Sequence, residues 1–574
     1  MTPKIALFAM AAGACALAAP VSAQHAVEAV PALPYSGPLH ERTAQSDLPL
    51  EGPRAAMRIE HVEMVMQVLP ETRYLASHNR YQVLLTGDLD QLQFDLDPRY
   101  DVVQVFVDRE DLPQDRFRNR DGLLTIDLPS ARQTGEMVEV DIIYGGHPHV
   151  AANPPWDGGF VWAQTPAGEP WIATAVQGEG CDMFWPCIDH SSSRIGSIDM
   201  EVTVPDGLVA AGNGVLVETV ANTDGTTTYH WSARNPSNYG ITLQIGPYQL
   251  AEQDYQSRFG NVVPIRFWHL PGSKAQARRL VAEMATYLDF FEERIGPYPF
   301  GDEKAGVAET PHLGMEHQTI NAYGNGYRPD PLGYDWLLQH EFAHEWFANQ
   351  LTNASINHMW LHEGIGQWMQ PLYLEWARGE MLYDAEMWRF RQEIRNNVPL
   401  VSPEGQLPDY NDQAEGWGFD IYYKGAWVMH SLRYLVGDEV LFPALTRLTY
   451  GTDTPVPGQI APVLRSTDDF RVILEDATGD DLNWFFDTYF YQAELPRLEQ
   501  SREGNVLTLE WQTTAERAFE MPVEVSIAGQ VRRVEMPGGR AQITLPDMRA
   551  QVLVDPRNQI LMHDEAIERA RGSR

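Results

Sequence analysis

The chain has 574 residues, of which 44% are hydrophobic and 21% charged, a composition that excludes a fibrous or disordered protein. At about 150 residues per domain, its length predicts three or four domains rather than a single core. Asp and Glu number 79 against 42 Lys and Arg, which gives a net charge of -37. Because this charge repels phosphate backbones, we expect no nucleic-acid partner.

The first 23 residues match the three-part pattern of a secretory signal peptide. Lys4 precedes an uncharged apolar run over 5–19, and Val21-Ser22-Ala23 forms a small-residue cleavage site. We therefore expect an exported protein, periplasmic or secreted, with lipid anchoring through Cys15 as the alternative. No other run approaches the roughly 18 apolar residues that a membrane span needs, so no transmembrane segment is expected.

Hydrophobic periodicity divides the remaining chain into four parts. Residues 24–57 carry Pro, Ser and Gly and predict a mobile lead-in. Alternating apolar segments separated by turn residues fill 58–250 and predict an N-terminal antiparallel β domain. Apolar residues recur every three or four residues over 251–495, which predicts a mainly helical domain. Strand-like runs over 496–574 predict a small C-terminal β-sandwich, so the fold class is multidomain α+β.

Two cysteines remain after the predicted signal peptide. Cys181 and Cys187 lie close in sequence, and in an oxidising compartment they could pair. Because no histidine stands near them at ligand spacing, the two thiols are poor evidence for a metal site.

His340-Glu341-Phe342-Ala343-His344 has the pattern of a zinc-binding helix. Residues four apart lie on one helical face, so both imidazoles can face one ion with Glu341 beside them. A catalytic zinc takes three protein ligands and keeps one position for water. The variant HExxHxxGxxH is excluded, because positions 347 and 350 are Phe and Gln. Glu363 begins a second helical run, and an antiparallel helix pair would return its carboxylate to the first helix. The predicted ligands of one zinc per chain are His340, His344 and Glu363.

Five sequence elements, in the same order as in the family, resemble the aminopeptidase N and leukotriene hydrolase family of zinc metallopeptidases, peptidase family M1. One element spans 340–352 and 360–364, which match the family text HExxHxWFxNxxT and WLxEG. Leu313-Gly314-Met315-Glu316-His317 approximates GxMEN, and Tyr422-Tyr423-Lys424-Gly425 approximates YxKG. Two further family segments are similar to 174–189 and 479–486. The resemblance implies a thermolysin-like fold for the mainly helical catalytic domain.

The resemblance also implies roles in catalysis. Glu341 would be the general base that accepts a proton from water and passes it to the leaving amine. Tyr422 would donate a hydrogen bond to the oxyanion, a group whose charge exists only along the reaction path. Tyr423 is the alternative register for that role. The implied function is a zinc aminopeptidase that removes N-terminal residues from peptides.

A second set of residues is implied to bind substrate. Glu316 would bind the free α-amine, because a peptide N-terminus is a cation that pairs with a carboxylate. Gln177 would be its neutral companion, and Gly314 and Met315 are the other implied substrate-binding residues. The expected partners are peptides with a free N-terminus. No motif marks the side-chain preference, the natural substrate or the oligomeric state.

The chain departs from the family pattern at three places. His317 replaces the Asn of GxMEN, and Asp189-His190-Ser191 replaces Asp-Glu-Pro. Many members carry a large C-terminal helical domain, whereas 496–574 is strand-like, so we expect no such domain, a more open site and tolerance of longer peptides. An endopeptidase or an epoxide hydrolase on the same zinc centre stays an alternative, the latter suggested by Gln177. A peptide-binding scaffold without catalysis is the third reading.

Overall fold

The structure of the chain is a computed structural model that describes residues 38–396, 398–403 and 417–571. The predicted signal peptide and residues 24–37 of the predicted lead-in lie outside this part. The rest of the lead-in packs against the protein, with Thr43 and Asp47 buried. The Asp47 carboxylate accepts hydrogen bonds from the backbone N–H groups of Ser191 and Ile356, both at 2.7 Å. This segment therefore joins the N-terminal and catalytic domains.

The N-terminal domain consists of three sheets. Their strand orders are β13-β14-β11-β1-β2-β8-β4-β5, β3-β7-β6 and β12-β15-β10-β9. The strands are β1 Met57–Leu69, β2 Tyr74–Leu85, β3 Leu89–Asp95, β4 Tyr100–Val107, β5 Glu110–Asp111, β6 Phe117–Arg120, β7 Leu123–Arg132, β8 Met137–Gly146, β9 Gly159–Gln164, β10 Pro170–Ala175, β11 Ser197–Pro205, β12 Val209–Ala211, β13 Val215–Ala221, β14 Thr226–Arg234 and β15 Gln244–Gly246. Buried and less buried residues alternate along β11, because one face of the sheet packs on the core.

The strands of this domain pair antiparallel except β1 and β11, which run parallel from His61 opposite Ser197 to Gln67 opposite Thr203. A parallel pair needs a long crossover rather than a hairpin. Here the chain leaves the large sheet after β8, forms β9 and β10 in another sheet, and returns as β11. The crossover contains the segment 176–189, in which Cys181 and Cys187 form a disulfide bond.

The catalytic domain combines a mixed sheet, ordered β16-β17-β18-β20-β19, with most of the helices. Its strands are β16 Gln249–Gln256, β17 Val262–His269, β18 Ala305–Glu309, β19 Gly314–Met315, β20 Asn321–Tyr323, β21 Leu351–Asn353 and β22 Val463–Arg465. Its helices are α1 Lys274–Arg294, α2 Trp336–Ala343, α3 Trp360–Arg378, α4 Glu380–Arg391, α5 Trp417–Val436, α6 Asp438–Tyr450, α7 Thr467–Thr478 and α8 Asn483–Tyr489. Strand β19 lies at the edge of the sheet, against β20.

Helix α2, which carries the zinc-binding motif, is only eight residues long. It begins at the N-cap Asp335, whose side chain accepts a hydrogen bond from the Leu338 N–H at 3.1 Å. Beyond Ala343 the backbone kinks, with non-helical angles at Phe347 and Ala348, and the Asn349 N–H bonds to the His344 carbonyl, five residues back, at 2.9 Å.

The C-terminal part is a pair of three-stranded sheets, β23-β24-β27 and β26-β25-β28. The strands are β23 Arg497–Glu503, β24 Val506–Gln512, β25 Val523–Ile527, β26 Gln530–Val534, β27 Arg540–Thr544 and β28 Val552–Val554, followed by α9 Glu565–Arg571. Their buried side chains share one hydrophobic core with the catalytic domain. The predicted fold class, a β domain followed by a mainly helical domain and a small β-sandwich, is confirmed. Within the described ranges, no helix combines the length and apolarity required to cross a membrane.

Candidate metal centre and substrate cleft

The predicted zinc ligands converge in the structure. His340 Nε2 and His344 Nε2 lie 3.2 Å apart, and Glu363 Oε2 lies 3.4 Å from the first and 3.3 Å from the second. A tetrahedral zinc with bonds of about 2.0–2.1 Å holds its ligand atoms roughly 3.3–3.4 Å apart. The three residues are 7%, 1% and 2% exposed. Their spacing and burial therefore fit a zinc ion without rearrangement.

The hydrogen bonds around these atoms also fit a metal. The Nδ1 atom of His344 lies 3.0 Å from the Phe347 carbonyl oxygen, to which it donates its proton. This fixes the tautomer that leaves a lone pair on Nε2, as metal-binding histidines require. Glu363 Oε2 is buried and, among the described residues, has no hydrogen-bond donor. A buried carboxylate oxygen without a partner is costly unless a cation pairs with it.

Two helices meet closely enough to place Tyr422 beside this centre. A Cβ atom on Gly425 would come within 2.7 Å of the Gly364 Cα, so α3 and α5 touch backbone to backbone. One turn before Gly425, the Tyr422 ring lies 5.8 Å from the His340 ring, centroid to centroid. This close approach explains why the sequence has glycine in both WLxEG and YxKG.

Glu341 stands against the edge strand β19. A Cβ atom on Gly314 would lie 2.2 Å from Glu341 Oε1, so a larger residue here would displace the Glu341 carboxylate. The carboxylates of Glu341 and Glu316 and a ring nitrogen of His344 all lie within 4.8 Å of one another. Burial raises the pKa of Glu341 well above its usual range, and burial likewise raises the pKa of Glu316.

A single cleft of about 480 Å³ contains all of the predicted site residues. It is lined by His340, Glu341, His344, Glu363, Tyr422, Glu316, Gln177, Gly314 and Met315. The predicted alternative, Tyr423, also lines it, but its ring packs against Phe390 at 5.3 Å. His317, the departure from GxMEN, is fully buried away from the cleft, with Nδ1 3.5 Å from the Gln244 side-chain nitrogen.

The side chain of Glu316 is held by two residues of the N-terminal domain. Its Oε1 atom accepts hydrogen bonds from Gln177 Nε2 and from the Tyr239 hydroxyl, each at 3.1 Å. The Gln177 amide nitrogen also lies 3.5 Å from Glu363 Oε1. The side-chain NH₂ group of Gln177 donates toward the carboxylates of Glu316 and Glu363. Its carbonyl oxygen is therefore free to accept a hydrogen bond from another group.

Tyr239 and Glu345 are site residues that the sequence did not reveal. Glu345 is fully buried and accepts hydrogen bonds from the Thr319 N–H at 2.8 Å and from Asn321 Nδ2 at 3.1 Å. Thr319 has φ +61°, a strained conformation for a β-branched residue. Through these hydrogen bonds, Glu345 attaches the turn after Glu316 to the zinc-binding segment. No local pattern marks either residue, because both act through contacts distant in sequence.

Comparison with known protein families agrees with the motifs. Residues 334–489 match the family model described as "Peptidase family M1 domain". The chain is 22% identical over 366 residues to Aminopeptidase M1-B of Oryza sativa subsp. japonica, covering 60% of this chain and 40% of that protein. It is 23% identical over 300 residues to Endoplasmic reticulum aminopeptidase 1 of Rattus norvegicus, covering 48% and 31%. The chain thus spans less than half the length of these curated relatives.

Solved structures share the fold over most of the chain. The M1 zinc metallopeptidase of Deinococcus radiodurans has a TM-score of 0.65 at 22% identity, covering 80% of this chain and 98% of that one. A mutant of that protein bound to a Tyr-Ser-Ala substrate has a TM-score of 0.66 and covers 80% and 99%. The family resemblance is confirmed: residues 334–489 match a peptidase family M1 domain.

Proposed function

We propose that the protein is a zinc-dependent aminopeptidase that removes N-terminal residues from peptides. The observation that carries this proposal is the position of Glu316, a buried carboxylate less than 5 Å from Glu341 and His344. An anchored carboxylate at this distance can hold a free α-amine while the first peptide bond lies at the metal centre. The same centre without an anchor would cleave within chains.

His340, His344 and Glu363 would hold the zinc ion. When bound, zinc polarises a carbonyl group and lowers the pKa of water. The solved M1 relatives are described as zinc metallopeptidases, which supports zinc over other divalent metals. Two imidazoles and one carboxylate are also a ligand set of catalytic zinc sites.

Glu341 would move the proton. Its carboxylate is buried beside the metal ligands and does not belong to the ligand triangle of His340, His344 and Glu363. A raised pKa brings a carboxyl group nearer to the working pH, where one group can both accept and return a proton. Glu341 would accept the proton of the attacking water and deliver it to the nitrogen of the departing peptide.

Tyr422 would stabilise the oxyanion. Burial, followed by the charges of Glu363 and Glu316, raises the pKa of its phenol well above the usual range. The hydroxyl therefore stays protonated and can donate a hydrogen bond. A donor placed where negative charge develops lowers the barrier, because it needs no reorganisation during the reaction.

The amine end of the cleft would combine one charge and one neutral acceptor. Glu316 supplies the charge, and the carbonyl oxygen of Gln177 supplies the second acceptor for an ammonium group. An N-terminally blocked chain or an epoxide has no ammonium to pair with Glu316. This argues against the endopeptidase and epoxide hydrolase alternatives. The complete set of His340, Glu341, His344 and Glu363 argues against a scaffold that only binds peptides.

We also propose that the protein is exported to the periplasm or secreted. The signal-like pattern over 1–23 supports this, as does the Cys181–Cys187 disulfide, since such bonds persist in oxidising compartments. Recovery of the mature protein from the periplasm or medium of an expressing cell, without residues 1–23, is the expected result. An intracellular protein that retains these residues would contradict the proposal.

Removal of zinc is expected to abolish hydrolysis. The purified protein should contain about one zinc per chain and cleave chromogenic amides of free amino acids. Dialysis against a chelator should lower the rate to background, and added zinc should restore it, because the carbonyl is then polarised again. Melting temperature measured in parallel distinguishes loss of the ion from unfolding. Full activity in protein with less than a tenth of a zinc per chain would contradict the proposed centre.

A further inference from the structure

We infer that Tyr239 is a positioning residue that fixes the amine-binding carboxylate of Glu316 in the orientation that receives the substrate. This inference rests on the proposed function and deepens it. Tyr239 lies in the N-terminal β domain shortly before β15, whereas Glu316 follows β19 of the catalytic domain. The contact therefore crosses from one domain to the other.

The hydrogen bonds from other residues select one oxygen of Glu316. The Tyr239 hydroxyl and Gln177 Nε2 both donate to Oε1, each at 3.1 Å. Oε1 thus has two donors, which leaves Oε2 as the oxygen for an ammonium group. Tyr239 does not itself line the main cleft and lines a neighbouring cavity of about 40 Å³. Its effect on substrate therefore passes through Glu316.

The main chain of Glu316 is fixed independently, from the zinc-binding segment. Asn349 Nδ2 donates to the Glu316 backbone carbonyl at 2.9 Å and to Glu345 Oε2 at 3.3 Å. With the backbone held on this side, the side-chain torsions of Glu316 are the freedom that remains. Tyr239 and Gln177 remove it from the opposite domain. A carboxylate that is already oriented loses little entropy when it binds, which strengthens binding.

The donor also helps Glu316 to stay charged. Burial disfavours the ionised form of this carboxyl group, and a hydrogen bond to the ion offsets part of that penalty. Burial and the Glu316 charge raise the pKa of Tyr239 well above its usual range. The phenol therefore remains a neutral donor and never becomes a competing anion beside Glu316.

Tyr239→Phe tests this role, because it removes only the hydroxyl. The expected result is a rise of about tenfold in the inhibition constant of phenethylamine, a primary amine without a carbonyl, which corresponds to about 1.4 kcal/mol. The KM for phenylalanyl amide should rise with it, while zinc content and melting temperature stay near wild-type values. Tyr229→Phe is the matched control, since this partly buried tyrosine donates to the Leu208 carbonyl at 3.1 Å and lies outside the site. It should leave the inhibition constant within twofold.

A double-mutant cycle with Glu316→Gln separates positioning from a general structural effect. If Tyr239 acts through Glu316, adding Tyr239→Phe to Glu316→Gln should change the inhibition constant by less than twofold. Fully additive effects would overturn the inference, and so would an unchanged inhibition constant in Tyr239→Phe alone. Failure of the proposed function would look different, because the wild-type protein would then not hydrolyse phenylalanyl amide.

Discussion

Glu341→Gln is expected to lower kcat for aminoacyl amides by about a thousandfold while the zinc content stays near one per chain. The amide has the shape of the carboxylate and cannot accept a proton. Glu341 lies outside the ligand triangle of His340, His344 and Glu363, so its replacement should not release the ion. Steady-state kinetics and metal analysis of the same preparation measure both quantities.

The control for this prediction is Glu393→Gln. Glu393 lines the same cleft, is exposed, and lies outside the ligand triangle. The same chemical change there should alter kcat less than twofold. Residual activity above a tenth of wild type in Glu341→Gln would contradict the assignment of the base. Loss of zinc in that variant would place Glu341 among the ligands instead.

Tyr422→Phe is expected to lower kcat by about a hundredfold, with KM changed much less. The lost hydroxyl is the donor to the oxyanion, and removal of one such donor typically costs a factor of about a hundred or more. Substrate binding depends on other groups, so the loss falls on the chemical step. The measurement is kcat and KM for one aminoacyl amide.

Tyr423→Phe is the matched control, one position along the same helix. Its ring packs against Phe390 at 5.3 Å and Phe419 at 6.4 Å, whereas the Tyr422 ring lies 5.8 Å from that of His340. We expect less than a threefold change in kcat for Tyr423→Phe. A larger loss in this variant than in Tyr422→Phe would show that the motif is read in the wrong register.

The metal centre could be predicted from sequence because its geometry is largely local. Two histidines four apart on a helix must share a face, whatever surrounds them. Glu363 required one further assumption, that the second helical run returns to the first. In the structure its Oε2 atom does reach both imidazoles. The sequence shows the glycines of the motifs but not why they are needed. The structure shows the reason, which is the close contact of α3 with α5 and of β19 with Glu341.

Other features depend on contacts between distant parts of the chain. Tyr239 meets Glu316 from 77 residues away, and no pattern in one sequence marks such a pair. The parallel pairing of β1 with β11 depends on the route of the crossover, because alternating side chains look alike in parallel and antiparallel strands. The segment before β1 has the composition of a mobile lead-in, yet its Asp47 is buried and accepts hydrogen bonds from two backbone N–H groups. The kink at Phe347 and Ala348, where the Phe347 carbonyl lies 3.0 Å from the His344 ring nitrogen, is likewise not revealed by helical spacing.

The measurement that tests the central claim most directly compares one peptide with a free N-terminus and the same peptide N-acetylated, using the zinc-loaded protein. A blocked peptide leaves the buried Glu316 charge unpaired, which costs about 3–5 kcal/mol. At 1.4 kcal/mol per tenfold, kcat/KM for the acetylated peptide should be at least about a hundredfold lower, with only the N-terminal residue released from the free one. Equal rates on both peptides, or cleavage within the chain, would contradict an amine-anchored aminopeptidase and indicate an endopeptidase.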